Sequence, residues 1–162
     1  FAVMTMHRPS NVDNGEGLKS LLSTIEHITD TVPLVFPMHP RTRNRFDEFG
    51  FADSLQEVDD LLVTEPLGYL EFLRLMEESS VVITDSGGIQ EETTFLQVPC
   101  LTLRDNTERP ITITEGTNEL LPLDADRVGR RVKRIISWDV LSGQVPDRCH
   151  RRAAERSAER IA

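Results

Sequence analysis

The sequence predicts a doubly wound α/β domain, a parallel sheet with helices on both faces. Two observations carry this. Short apolar runs rich in Val, Ile and Leu alternate with longer stretches of helical periodicity. Such alternation requires crossover connections, which are right-handed and lay helices over both faces of a parallel sheet. The unusual polar clusters, moreover, follow the apolar runs instead of scattering between their beginnings and ends. In open parallel sheets ligands bind outside the carboxyl ends of the strands, where the strand order reverses.

The strand candidates are residues 1–6, 33–39, 61–65, 80–85 and 99–103, with a sixth at 119–123. Helical periodicity fills the intervals at 16–29, 41–49, 69–78, 89–96 and 109–114, then continues at 126–137. Within 69–78 the spacing directs Leu70, Leu73 and Met76 to the core. The fourth strand breaks at Gly87 and Gly88 before its helix begins. From 140 to 149, Ser142-Gly143-Gln144 and Val145-Pro146-Asp147 read as a connector, and 151–161 as a final, strongly polar helix. The expected division is therefore a Rossmann-like domain over 1–139 and a connector with a C-terminal helix over 140–162.

At 162 residues, 38% of them hydrophobic, the chain suits one domain with a core of its own. It begins at Phe1, directly in an apolar run, and reads as a piece starting mid-protein. No stretch approaches the roughly 20 apolar residues that cross a bilayer, and nothing resembles an export signal, so no membrane is expected and the setting is read as cytoplasmic. Cys100 and Cys149 stand far apart, in neither a CxxC nor a Cys/His cluster, which argues against a disulfide framework or a metal site. The net charge of -9 argues against a nucleic-acid partner. That charge is uneven: residues 1–126 hold 8 Lys and Arg against 23 Asp and Glu, whereas 127–162 hold 10 against 4. The basic tail either packs on acidic protein surface or is a solvated helix.

The polar clusters at the strand ends are His7 and Arg8, His39 and Arg41, Pro66, residues 85–88, and residues 104–109. In Asp85-Ser86-Gly87-Gly88, two glycines at a helix start let backbone approach a ligand, and the free amides with the helix dipole favour an anion. This is either a diphosphate seat or a tight turn in which Asp85 or Ser86 caps the helix. Glu92 either balances the dipole or accepts hydrogen bonds from ribose hydroxyls. His7 can exchange protons near neutral pH and Arg8 can clamp a phosphate, unless the imidazole is satisfied by nearby backbone. His39 and Arg41 repeat the pattern with the same alternatives. Phe72 is a base-stacking platform or a core residue. Arg104 and Arg109 share a loop with two acids, which suits a ligand clamp or an internally salt-bridged turn. His27, inside a helix, and His150, in the tail, carry no assignment.

Five segments together resemble the non-hydrolysing UDP-N-acetylglucosamine 2-epimerases: Met6-His7-Arg8-Pro9, Phe36-Pro37-Met38-His39-Pro40-Arg41, Gly68-Tyr69-Leu70-Glu71-Phe72, Asp85-Ser86-Gly87-Gly88-Ile89-Gln90-Glu91-Glu92, and Leu103-Arg104-Asp105-Asn106-Thr107-Glu108-Arg109-Pro110. They occur in family order over residues 1–136. The resemblance implies the C-terminal half of a glycosyltransferase-B type fold, two Rossmann-like halves with the ligand between them. It implies interconversion of UDP-N-acetylglucosamine and UDP-N-acetylmannosamine by elimination and re-addition of UDP, without metal or nicotinamide. It places Ser86, Gly87 and Gly88 at the diphosphate, with Arg8 in support, Glu92 at the ribose, Phe72 at the uracil and His7 near the leaving group. Arg104 and Arg109 are loop-shaping residues near the cleft, and His39 and Arg41 are further site candidates. The carboxylates that handle the sugar proton belong to the other half, so this half binds UDP and is inactive alone. A homodimer is implied, and the tail is expected to pack towards the missing half. The competing readings are a hydrolysing epimerase, a glycosyltransferase of the same fold, and a non-catalytic UDP-sugar sensor.

Overall fold

A computed structural model describes residues 1–137 and 143–145. Six strands, β1 (Ala2–Thr5), β2 (Leu34–Pro37), β3 (Leu61–Thr64), β4 (Val81–Thr84), β5 (Cys100–Leu103) and β6 (Asn118–Leu121), form one sheet. Their spatial order is β3-β2-β1-β4-β5-β6 and every pairing is parallel. The order reverses between β1 and β4, whose carboxyl ends therefore lie side by side at the expected ligand edge. The sixth strand begins one residue earlier than its apolar run suggests.

The helices are α1 (Pro9–Val12), α2 (Gly15–Thr29), α3 (Pro40–Glu48), α4 (Ala52–Gln56), α5 (Tyr69–Glu77), α6 (Gly87–Leu96), α7 (Ile111–Thr114) and α8 (Ala125–Ser137). The side chain of Asn14 caps α2 by accepting from the Gly17 amide at 2.7 Å. Leu18, Leu21, Leu22, Ile25 and Ile28 follow at helical spacing and are buried. Val128, Val132 and Ile135 of α8 join the same cluster, beneath Ala2, Met4, Val81 and Ile83 of the sheet. Val3 and Val82 alternate to the opposite face, where Met76, Val98 and the partly buried Phe72 and Leu73 cover them. Two close approaches shape the helical layer. A Cβ on Gly129 would lie 2.9 Å from the His27 Cβ, so α2 and α8 meet where one has no side chain. A Cβ on Gly17 would lie 2.5 Å from the Asn11 carbonyl oxygen, which lets α1 fold back on α2.

The sequence reading needs four corrections. Residues 9–12, read as loop, form a helical turn, because Pro9 stands at its first position, where a fixed φ and a missing amide cost nothing. The short α4 has no counterpart among the expected helices. Gly87 and Gly88 belong to the first turn of α6 and do not precede it. Leu70 is 76% exposed, not core. It lies in the first turn of α5, which starts beyond the end of β3, so no strand lies under it, whereas Met76, a turn and a half later, is fully buried. Cys100 is buried, which pushes its thiol up to about 11, and Cys149 lies outside the described residues. Among the described residues no helix is long and apolar enough to cross a membrane. Of the expected connector, Gly143 and Gln144 lie against the turn after α7, where the Gln144 amide donates to the Glu115 carbonyl at 2.6 Å. The expected final helix at 151–161 lies outside the described residues.

Candidate functional site

The site is built around one wholly buried carboxylate. Asp85, directly after β4, is 0% exposed. The His7 amide donates to both its oxygens at 3.1 Å, the Arg8 amide to Oδ2 at 2.9 Å, and the Asn11 side-chain amide to Oδ2 at 3.1 Å. The His7 ring Nδ1 lies 3.2 Å from Oδ1. A buried charge is stable only when such donors replace water. Arg8 reinforces the junction by donating from Nε to the Asp85 carbonyl at 2.9 Å, and Asn11 also donates to the Leu103 carbonyl at 3.2 Å. The loops after β1, β4 and β5 are thereby joined. The His7 side chain remains 42% exposed, and its ring centre is 6.0 Å from that of His39.

His39 caps α3, its Nδ1 accepting from the Arg41 amide at 3.1 Å. Arg41 forms a two-point ion pair with Asp13, Nε to Oδ1 at 3.0 Å and Nη2 to Oδ2. That pair holds the Asp13 carboxyl below the usual range, through the Arg41 hydrogen bond first of all. Asp13 also receives Arg45, at 3.5 Å. Arg41 thus pins α3 to the loop after α1.

The start of α6 is the second component. Ser86 is its N-cap residue, yet its side chain makes no capping bond; its amide donates to Thr84 Oγ1 at 3.0 Å. The first-turn amides have no partners within the helix. A Cβ on Gly87 would meet the Glu108 Oε1 at 2.8 Å, whereas one on Gly88 would meet nothing within 4 Å. The Glu108 carboxylate thus rests over the helix start. Its Oε2 accepts from Arg104 Nη2 at 2.8 Å, and its Oε1 is 3.6 Å from Arg8 Nη2. The Arg104 hydrogen bond, with its own backbone and the two guanidinium charges adding, holds the carboxyl down at about 2. This place already holds an anion, between two arginines and a helix N-terminus.

The loop between β5 and α7 is ordered from beneath. Gln90 of α6, fully buried, donates to the Ser86 carbonyl at 3.1 Å and accepts from Thr107 Oγ1 at 2.6 Å and from Asn118 at 3.1 Å. Arg109 pairs with Glu91 at 3.2 Å. Glu92, half-buried beside Glu91, has its carboxyl pushed up, first by burial and then by the neighbouring charge. Phe72 is half-buried on α5. Arg8 and Asn11 face Arg104 and Asn106 across a cavity of about 300 Å³ at the same edge.

The structure therefore gathers His7, Arg8, Ser86, Gly87, Gly88 and Arg104 into one cluster, with His39 beside His7 and Arg109 joined through Glu91. Glu92 and Phe72 stand on the helices that flank it, and Arg41 turns to Asp13. The sequence reading missed Asn11, Gln90, Thr107 and Asn118, and it read Asp85 as at most a cap. The available signal was a polar stripe at Gln90, Thr93 and Thr94, spaced to face the core of a helix; all three are buried.

Comparison with known proteins gives a consistent outcome. The model of the family described as UDP-N-acetylglucosamine 2-epimerase matches residues 1–162. A UDP-N-acetylglucosamine 2-epimerase of Methanocaldococcus jannaschii is 41% identical over 139 residues, covering 85% of this chain and 38% of that protein. The crystal structure of the Methanocaldococcus jannaschii UDP-GlcNAc 2-epimerase in complex with UDP-GlcNAc and UDP superposes with a TM-score of 0.81 at 37% identity, over 99% of this chain and 44% of that one. The Neisseria meningitidis enzyme bound to UDP-GlcNAc gives 0.82 at 29% identity, over 99% and 44%. This chain thus spans less than half the length of the relatives it matches. With the family model covering every residue and a relative 41% identical over 85% of the chain, the chain belongs to the UDP-N-acetylglucosamine 2-epimerase family.

Proposed function

We propose that this chain is the UDP-binding half of a UDP-N-acetylglucosamine 2-epimerase, which interconverts UDP-N-acetylglucosamine and UDP-N-acetylmannosamine. The observation that carries the reading is the Glu108 carboxylate over Gly87, between Arg8 and Arg104, because it marks a seat with the chemistry a diphosphate needs. In the reaction a proton leaves C2 of the sugar, the bond from C1 to the diphosphate oxygen breaks, and a glycal and UDP remain in the site. Re-addition after protonation of C2 from the opposite face gives the epimer. Charge accumulates on the leaving diphosphate as that bond breaks, and fixed donors stabilise it without reorganising. Here the donors are the α6 amides at Gly87 and Gly88, the Ser86 hydroxyl and Arg8, with His7 beside them. Glu92 accepts from the ribose hydroxyls and Phe72 stacks on the uracil. Arg104 and Arg109 shape the loop over the seat, while His39 and Arg41 order the rim by His7. The groups that move the C2 proton belong to the remainder of the protein, so the chain alone binds UDP and does not turn over. The division at residues 139 and 140, a cytoplasmic setting and a homodimer complete the reading.

The test is the complete enzyme with UDP-N-acetylglucosamine in heavy water and no acceptor. UDP-N-acetylmannosamine carrying deuterium at C2 is the expected product. Free sugar indicates the hydrolysing reaction, and absence of exchange at C2 favours a glycosyltransferase. Glu92 adds a pH dependence. Its raised carboxyl means that the unliganded fold favours the protonated form; ionisation costs stability above the ordinary Glu value, and that cost disappears as pH falls through the raised value. Ribose hydroxyls need the ionised acceptor. UDP affinity measured by calorimetry is therefore expected to fall on acidification sooner than an ordinary Glu would dictate, and Glu92→Gln is expected to lack that limb.

A further inference from the structure

We propose that Asp85 is the positioning residue of the site, fixing His7 as the Nδ1–H tautomer and leaving Nε2 as the lone-pair nitrogen presented to the cleft. The inference rests on the reading above only in giving His7 a place beside the leaving diphosphate; the tautomer follows from the contacts. Asp85 is fully buried among the amides of His7, Arg8 and Asn11, every one of them a donor. Surrounded in this way it is a carboxylate, which only accepts. The ring nitrogen 3.2 Å from its Oδ1 faces that negative charge, which repels a lone pair and favours hydrogen on Nδ1. In the neutral imidazole the other nitrogen is then the acceptor. Asp85 also accepts from the backbone amide of the same histidine, so the main chain and ring of His7 face one group.

His39 supplies an internal contrast. Its Nδ1 accepts from the Arg41 amide, so its neutral ring carries hydrogen on Nε2. The two imidazoles, 6.0 Å apart, thus have opposite tautomers, one an acceptor and the other a donor at Nε2.

Asp85→Asn tests this because the amide must adopt one orientation. The oxygen stays at the Oδ2 position, which accepts from the His7, Arg8 and Asn11 amides, and the NH2 group takes the Oδ1 position facing the His7 ring, giving up only the shared His7 amide contact there. It then donates to Nδ1 and reverses the tautomer. Long-range proton–nitrogen spectra of the chain, recorded where His7 is neutral, are expected to show Nδ1–H in the wild type and Nε2–H in Asp85→Asn. A residue that merely braces the loops would not produce this reversal. In the complete enzyme the variant is expected to lose kcat on the order of a hundredfold, the scale of a positioned acid or base, with KM nearly unchanged.

The wild-type spectrum needs no variant, so the proposal stays testable if Asp85→Asn does not fold. A wild-type His7 that is Nε2–H or averages both tautomers overturns it, as does a folded Asp85→Asn with the tautomer unchanged. A titration of the same sample with UDP separates the two proposals. Absent binding with the expected tautomer defeats the functional reading and leaves the role of Asp85 intact; bound UDP with the wrong tautomer does the reverse.

Discussion

Ser86→Trp is expected to abolish UDP binding while leaving the chain folded. Ser86 has φ -85° and ψ 138°, an extended conformation open to any L residue, and its side chain contributes no capping bond that the substitution would remove. The indole would instead project over the first turn of α6, where the Glu108 carboxylate now rests. Hydrogen bonds to charged groups are worth about 1.5–3 kcal/mol each. Losing two of them lowers affinity by at least roughly a hundredfold, since each 1.4 kcal/mol is about tenfold. Calorimetry with UDP reads the loss, and thermal denaturation checks the fold. Gly88→Ala controls for the fold alone, because a Cβ there meets no protein atom within 4 Å. Gly87→Ala is intermediate: its methyl displaces only the flexible end of Glu108, so the fold tolerates it while the seat shrinks. Undiminished binding by Ser86→Trp would remove the diphosphate from this helix end.

The largest effect on stability is expected from Gly129→Val. The new Cβ would stand 2.9 Å from the His27 Cβ, and neither atom can rotate away because both are fixed by their helix backbones. The helices α2 and α8 must separate, and they bury much of the apolar cluster beneath the sheet. Overpacking of this kind costs about 1–3 kcal/mol. Alanine at the same position recovers up to about 1 kcal/mol of helix propensity over glycine, so Gly129→Ala should be mild, while valine adds two methyl groups at the contact. For a chain of this size each kcal/mol lowers Tm by about 2–4 °C. Valine is therefore expected to lower Tm by about 2–12 °C, with UDP affinity of the folded protein preserved. An unchanged Tm would mean that the two helices are further apart.

The architecture was legible because its signals are periodic. Runs of Val, Ile and Leu broken by Pro, Gly and Asp give the strands, and helical spacing in 16–29 and 126–137 gives α2 and α8. The position of the site was legible as well, since His7, Arg8, Ser86 and Arg104 all follow strands that proved adjacent or nearly so. What was not legible depends on partners distant in sequence. Leu70 carries the right spacing for the core but lies beyond the end of the sheet. Asp85 looks like a cap, and only the adjacency of β1 and β4 brings the His7 and Arg8 amides to it. Gln90 carries no assignment in the sequence; besides Ser86 at the start of its own helix, its partners are Thr107 and Asn118, 17 and 28 positions away.

The hydrogen bond from His7 to Asp85 spans 78 positions of sequence and crosses the line where the strand order reverses. No sheet that lacks the β1–β4 pair can make it: β1, β2 and β3 with their helices hold one partner, and the other arrives with β4. The anion seat is consequently among the last features to be completed as the chain folds, because contacts so distant in sequence become favourable only after the intervening loop has been closed. A nucleotide that binds the seat recognises only the joined sheet, and by mass action it withdraws molecules from every state in which the two halves are still apart.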